Sequence, residues 1–241
     1  MIRSKLRLLS SHLGIGNRPK PALHFLHLGK TGGSAIRSTL KPYRSHGCYQ
    51  LHLHPHTTAL NDIPIGGKVF FFVRDPISRF VSGFYSGKRQ GQPLYNNRWS
   101  VHERVAFANF ETPNNLACAL SDENQNKRKL AEHTMQKIRH VRDSYWRWFR
   151  DPDYFASRSA DILFIGSQAQ LNSDFEVLKS LIGLPHDLSL PTDEVQSHKT
   201  PAHLDRYLSE RAIVNLTKWY SADFHFVTLC EKWRIQSARN L

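Results

Sequence analysis

Five consecutive apolar residues, Val69-Phe70-Phe71-Phe72-Val73, run straight into Arg74-Asp75-Pro76. A run of that length has no water-facing side, so it reads as a strand covered on both faces, the position of a central strand in a parallel sheet. Phe80, Val81 and Phe84 then recur on one helical stripe over residues 77–85. The same order of strand, turn and helix appears earlier, where residues 22–28 lead through Gly29-Lys30-Thr31-Gly32-Gly33 into a helical pattern over 34–40. It recurs a third time in residues 161–166, followed by a helix over 173–181. This alternation predicts a three-layer α/β fold, a mainly parallel central sheet flanked by helices, with ligands at the carboxyl ends of the strands.

A length of 241 residues suits one core. The expected organisation is a basic arm over residues 1–20 and a single domain over 21–241, with a mostly helical insertion around 98–155. Within it, residues 126–149 read as one long basic helix, with Leu130, Met135, Ile138, Val141, Tyr145, Trp148 and Phe149 on its apolar stripe and Asp151-Pro152 as its stop. A last helix is expected over residues 209–226, with Ser209 as N-cap. Residues 87–97, rich in Gly, Pro, Asn and Arg, are expected to form part of a substrate wall.

The chain carries 33 Lys and Arg against 20 Asp and Glu, a formal charge of +13 that attracts anions. Its 14 His strengthen that field on acidification. Cys48, Cys118 and Cys230 are too far apart for a disulfide framework or a metal knuckle and fit a reducing compartment. Residues 1–9 lack the apolar core and cleavage site of a secretory signal, and no stretch approaches the roughly 20 apolar residues of a spanning helix. A cytoplasmic location is therefore expected, and peripheral membrane contact is compatible with the basic start.

The first turn offers backbone N–H groups and a helix N-terminus to an anion, with Lys30 as mobile charge and Thr31 and Ser34 as hydroxyl donors. A Walker turn would need Gly where His24 stands, so Gly29-Lys30-Thr31 matches only its second half. The second turn fits RxPxxRxxS: Arg74 at the strand end, Pro76 opening the helix, Arg79, then Ser82 two turns on. A guanidinium offers paired donors in a fixed fork, which suits phosphate. Two such turns suit one ligand with phosphate-like groups at both ends.

Together these segments resemble the sulfotransferases that use 3'-phosphoadenosine 5'-phosphosulfate (PAPS), especially the branch containing heparan sulfate 2-O-sulfotransferase and its bacterial relatives. The resemblance implies a P-loop-like nucleotide-binding fold, with PAPS as donor and adenosine 3',5'-bisphosphate (PAP) as product. It assigns Lys30, Thr31, Gly32, Gly33 and Ser34 to the 5'-phosphosulfate, and Arg74 and Ser82 to the 3'-phosphate. Arg79 falls on the motif too, although pairing with Asp75 one turn earlier is equally open to it. The likeness is clearest over residues 22–86 and looser at 161–166 and 219–223. The first turn departs from the commoner form, with Leu28-Gly29 where many members have Pro before the Lys.

Between the turns lies His52-Leu53-His54-Pro55-His56, near where related 2-O-sulfotransferases carry a His-Gly-His segment with a catalytic base. Aligning on Leu60-Asn61-Asp62-Ile63 makes His56 the base candidate and His54 the adjacent one. No acidic or Cys partner accompanies these histidines, so no metal is expected. Lys30 is expected to stabilise the leaving phosphate. Lys199 and Thr200, in the basic turn Ser197-His198-Lys199-Thr200-Pro201, are weaker cofactor candidates for a late closing loop. Trp148 is expected in the core and Trp146 over a groove. Lys127, Arg128, Lys129, Lys137, Arg139 and Arg142 suit either the rim of a cleft for an acidic glycan or a solvated helix face.

The expected reaction is sulfuryl transfer to a hydroxyl acceptor, a glycan or glycoconjugate, with no specific nucleic acid as partner. A P-loop kinase using ATP and a non-enzymatic polyanion-binding module are the alternatives.

Overall fold

A computed structural model describes residues 19–193, 201 and 203–238. Lys199 and Thr200 lie outside the described residues, as does most of the expected basic arm. Four strands form one sheet in the order β2-β1-β3-β4: β1 (Ala22–Phe25), β2 (Gln50–Leu53), β3 (Lys68–Val73) and β4 (Ile162–Ser167). Every pairing is parallel. The edge strand β2 has no counterpart among the sequence-based expectations; it holds the first part of the histidine segment and pairs with β1 in the register His24 to His52.

Strand β3 shows why its sequence is continuously apolar. Phe70 and Phe72 pack with Ile36 and Leu40 of helix α1 (Gly33–Leu40), while Val69, Phe71 and Val73 pack on the opposite face. All five are at most 3% exposed. Burying each Phe contributes roughly 1.5–3 kcal/mol. Helix α2 (Pro76–Lys88) follows β3 and carries Phe80, Val81 and Phe84 into a helical subcore with α3 (Val101–Asn109), α4 (Pro113–Ala119) and α5 (Gln125–Met135).

The expected helix over residues 126–149 is corrected here. Helix α5 ends at Met135, residues 136–145 are irregular, and a short α6 (Trp146–Phe149) follows before α7 (Pro152–Ser157). Buried side chains capture the backbone that a continuous helix would have used. Arg79 Nη1 donates to Asp143 O at 2.7 Å, and Tyr145 N donates to Asp223 Oδ1 at 2.9 Å. Ile138, Val141 and Tyr145 nevertheless reach the core as their spacing predicts.

Helix α8 (Leu171–Ile182) follows β4 and covers the α1 face with Phe175, Leu178 and Ile182. The expected last helix is two: α9 (Glu210–Trp219), capped by Ser209, and α10 (Ser221–Ala238). The break at Tyr220 lets Ala212 and Leu216 pack in the helical subcore while Phe226 and Cys230 pack on the sheet. One straight rod would not serve both surfaces. No helix among the described residues is long and apolar enough to cross a membrane.

Candidate active site

In the order β2-β1-β3-β4 the connections leave β1 and β3 in opposite directions, which opens a crevice at their carboxyl ends. The two turns named from the sequence flank it. After β1, Lys30 and Gly32 take positive φ of 68° and 87°, the kind of turn in which successive N–H groups line a concave anion cradle. Helix α1 then begins with no side-chain cap and no acidic residue in its first turn. Its N-terminal N–H groups and dipole remain available. Gly32, Gly33 and Ser34 line the cleft, whereas Thr31 is buried and donates its hydroxyl to Leu28 O at 3.0 Å, closing the turn.

Helix α2 differs at its start. Asp75 caps it by accepting from Ser78 N at 2.7 Å, so its N-terminus is already met by a carboxylate. An anion at the second turn would therefore be met by side chains. Arg74 Nε donates to Ser78 Oγ at 2.8 Å, and Nη1 donates to Lys30 O at 3.3 Å. That second bond spans the crevice and joins the two turns. Ser82 is buried at the cleft wall, and its hydroxyl makes no hydrogen bond among the described residues.

Lys30 has no carboxylate partner among the described residues; burial, then Arg74 and Arg89, lower its pKa to about 8. His56 also lines the cleft, and its Nδ1 lies 2.8 Å from His27 O. A carbonyl only accepts, so Nδ1 carries the proton and Nε2 keeps its lone pair. Burial lowers the His56 pKa and Lys30 lowers it further, against the raising effect of the bond to His27. Trp148 Nε1 donates to His56 O at 2.8 Å, and the His27 ring lies 3.7 Å from that of His56. The base candidate is thus held by its backbone, its Nδ1 and its ring face.

His54 does not join it. Two residues after His52, it keeps the same strand face, with Nε2 2.9 Å from His24 Nδ1, away from the cleft. The turn at Pro55 re-aims only His56. Arg79 is likewise turned inward: it is 2% exposed, donates from Nε to Gly29 O at 2.9 Å, and pairs with Asp223 rather than Asp75. Its guanidinium stacks 4.5 Å over the Tyr145 ring. Tyr145 in turn exchanges hydrogen bonds with Arg74 N and O at 2.9 and 2.8 Å. Burial raises the Asp223 pKa against the lowering effects of Ser144, Arg79 and Tyr145 N.

The cleft encloses about 1710 Å³, larger than the roughly 300–1,000 Å³ of a single small-molecule site. Lys30, Arg37, Lys41, Arg44, Arg74, Arg89, Arg139 and Arg206 line it, and among the described residues Asp75 is the one carboxylate on its wall. Residues Gly91, Gln92, Pro93, Leu94, Tyr95 and Asn97 form one wall, as the composition of that segment suggests. Of the basic run on α5 and beyond, Arg139 reaches the cleft, while Lys127 pairs with Asp122 on the helix surface at 2.7 Å. Sequence reasoning missed Arg37 and His140. The signal for Arg37 was its place one turn after Gly33 on α1; His140 carried none, because a continuous helix put it on an arbitrary face. Among the described residues no group of three or more His, Cys, Asp or Glu is arranged to hold a metal.

The sequence matches the sulfotransferase family over residues 50–226, more than half of its length. This chain belongs to that family. The match includes β2, His56, Arg74 and Ser82 but starts after the Lys30 turn, whose place beside Arg74 is given by the fold. No curated protein sequence matches the chain. A sulfotransferase is a transferase of sulfuryl groups, and the parallel sheet flanked by helices is consistent with the family's fold.

Proposed function

We propose that this sulfotransferase takes PAPS as donor and a carbohydrate hydroxyl as acceptor, releasing PAP. The observation that carries the reading is the Arg74 guanidinium reaching from the second turn to Lys30 O, which makes two anion-binding turns one site. A donor with a phosphosulfate at one end and a 3'-phosphate at the other has the charge distribution such a site matches.

When bound, PAPS supplies an activated sulfuryl group on a phosphate leaving group. Lys30, the α1 N–H groups, Gly32, Gly33 and Ser34 would hold its 5' end, and Arg74 with Ser82 its 3'-phosphate. His56 accepts the acceptor's hydroxyl proton at Nε2, since Nδ1–H is committed to His27 O. Lys30 sets its ammonium against the negative charge left on the departing phosphate. Arg37 and Arg139 at the cleft wall favour an acidic glycan as acceptor. The cleft volume leaves room for it beside the nucleotide.

Isothermal calorimetry tests the reading. Tight binding of PAP in the presence of a metal chelator is the expected result, followed by transfer of labelled sulfate to one member of a glycan panel. Preference for ATP with Mg2+ over PAP would overturn it.

A further inference from the structure

We propose that His140 donates a hydrogen bond from Nε2 to the oxygens of the sulfuryl group in transit between Lys30 and His56. This inference rests on the donor reading above. His140 lies in the irregular stretch after α5 with φ of 68°, a left-handed conformation uncommon for a residue with a side chain. Bonds outside the residue impose it: Arg79 holds Asp143 O, and Asp223 holds Ser144 Oγ and Tyr145 N.

Gly29 of the first turn and Gly83 of helix α2 both leave room for this one residue. A Cβ at Gly29 would stand 3.1 Å from His140 Nδ1, and a Cβ at Gly83, next to Ser82, would stand 3.3–3.4 Å from His140 backbone and Cβ atoms. Nδ1 is buried without a hydrogen bond, and Asp143 Oδ2 is 4.0 Å away, beyond hydrogen-bond distance. A buried lone pair without a partner is more tolerable than a buried N–H without one, so the proton belongs on Nε2. The side chain keeps 22% exposure while Nδ1 has essentially none, so its exposed edge lies opposite Nδ1, on the Nε2 side. His140 lines the cleft, with its ring meeting His56 edge-on at 5.8 Å.

The arrangement separates the two imidazoles by role. His56 offers a lone pair, whereas the lone pair of His140 is buried and only its N–H is available. Burial, with Lys30, His56, Arg79 and Arg139 around it, holds the His140 pKa well below the ordinary range, so it stays a neutral donor. The proposed base meets its ring and the proposed leaving-group cation is near enough to act on its charge, so the oxygens of the group that moves would pass within its reach.

PAP lacks the sulfuryl group and PAPS carries it, so comparing their affinities by calorimetry isolates the contact without any acceptor. In His140→Phe, PAP binding should stay within about twofold while PAPS binding weakens about tenfold, the scale of one charge-assisted hydrogen bond. His140→Gln, which restores an N–H donor of similar reach, should recover most of the PAPS affinity. An unchanged ratio of PAPS to PAP affinity in the Phe variant, or equal loss of both nucleotides in both variants, would overturn the inference. Failure of the unaltered protein to bind either nucleotide would instead overturn the donor reading beneath it.

Discussion

Arg79 Nη1 lies 3.3 Å from Asp223 Oδ2, with both side chains 2% exposed. The pair is separated by 144 residues and sits beneath the site rather than in it. Arg79 holds Gly29 O in the first turn and Asp143 O beside His140, while Asp223 holds Tyr145, whose hydroxyl fixes Arg74. One buried ion pair therefore positions both turns that flank the cleft. This explains an Arg in the motif that never reaches the cleft.

Removing one partner leaves the other charge buried and unpaired, which costs about 3–5 kcal/mol. Asp223→Ala should therefore lower stability by that amount in urea unfolding, because Ser144 and Tyr145 also lose their acceptor. Arg79→Leu combined with Asp223→Leu should cost clearly less than the sum of the two single changes. Additive losses would show that the two side chains act independently.

The parts of the fold legible in the sequence are those where local pattern and tertiary role agree. Val69 to Val73 must be a two-faced strand, and Pro76 must open a helix; both appear as read. The pattern over residues 126–149 misleads because its apolar positions are the true core residues, yet the backbone between them is bound by Arg79 and Asp223 from distant segments. His54 and His56 look alike in sequence because period-2 alternation puts them on one face. The turn at Pro55 separates them, and only the sheet partner His24 reveals it.

Gly33 is the tightest point of the first turn. A Cβ there would lie 2.2 Å from His27 Cδ2, and the His27 ring is packed against His56. Overpacking of this kind costs typically 1–3 kcal/mol. Gly33→Ala should still fold, with sulfuryl transfer reduced on the order of 100-fold, since displacing His27 displaces His56, the proposed base. Comparing turnover with thermal stability checks it: full activity would mean that His27 moves without carrying His56.

Arg74 bonds Ser78 through Nε and Lys30 O through Nη1, a two-point geometry that an ammonium lacks. Arg74→Lys should weaken PAP binding roughly tenfold, about one charge-assisted hydrogen bond. Adenosine 5'-phosphosulfate, which has no 3'-phosphate, should lose much less. Equal loss for both ligands would place Arg74 at some other part of the nucleotide.

With the proposed roles of His56 and Lys30, the pH dependence of kcat/KM follows from these two groups, and it reports the free enzyme. His56 must be neutral to accept a proton, and its pKa is lowered, first by burial; activity should rise with pH along a limb centred below 6.5. Lys30 must be charged, and its pKa of about 8 places a falling limb there. The profile is thus a bell whose two sides belong to different residues. Lys30→Arg should remove the alkaline limb, because a guanidinium stays protonated, while the acid limb keeps its position. If the alkaline limb survived that change, it would belong to another group, and the role given to Lys30 would fall with it.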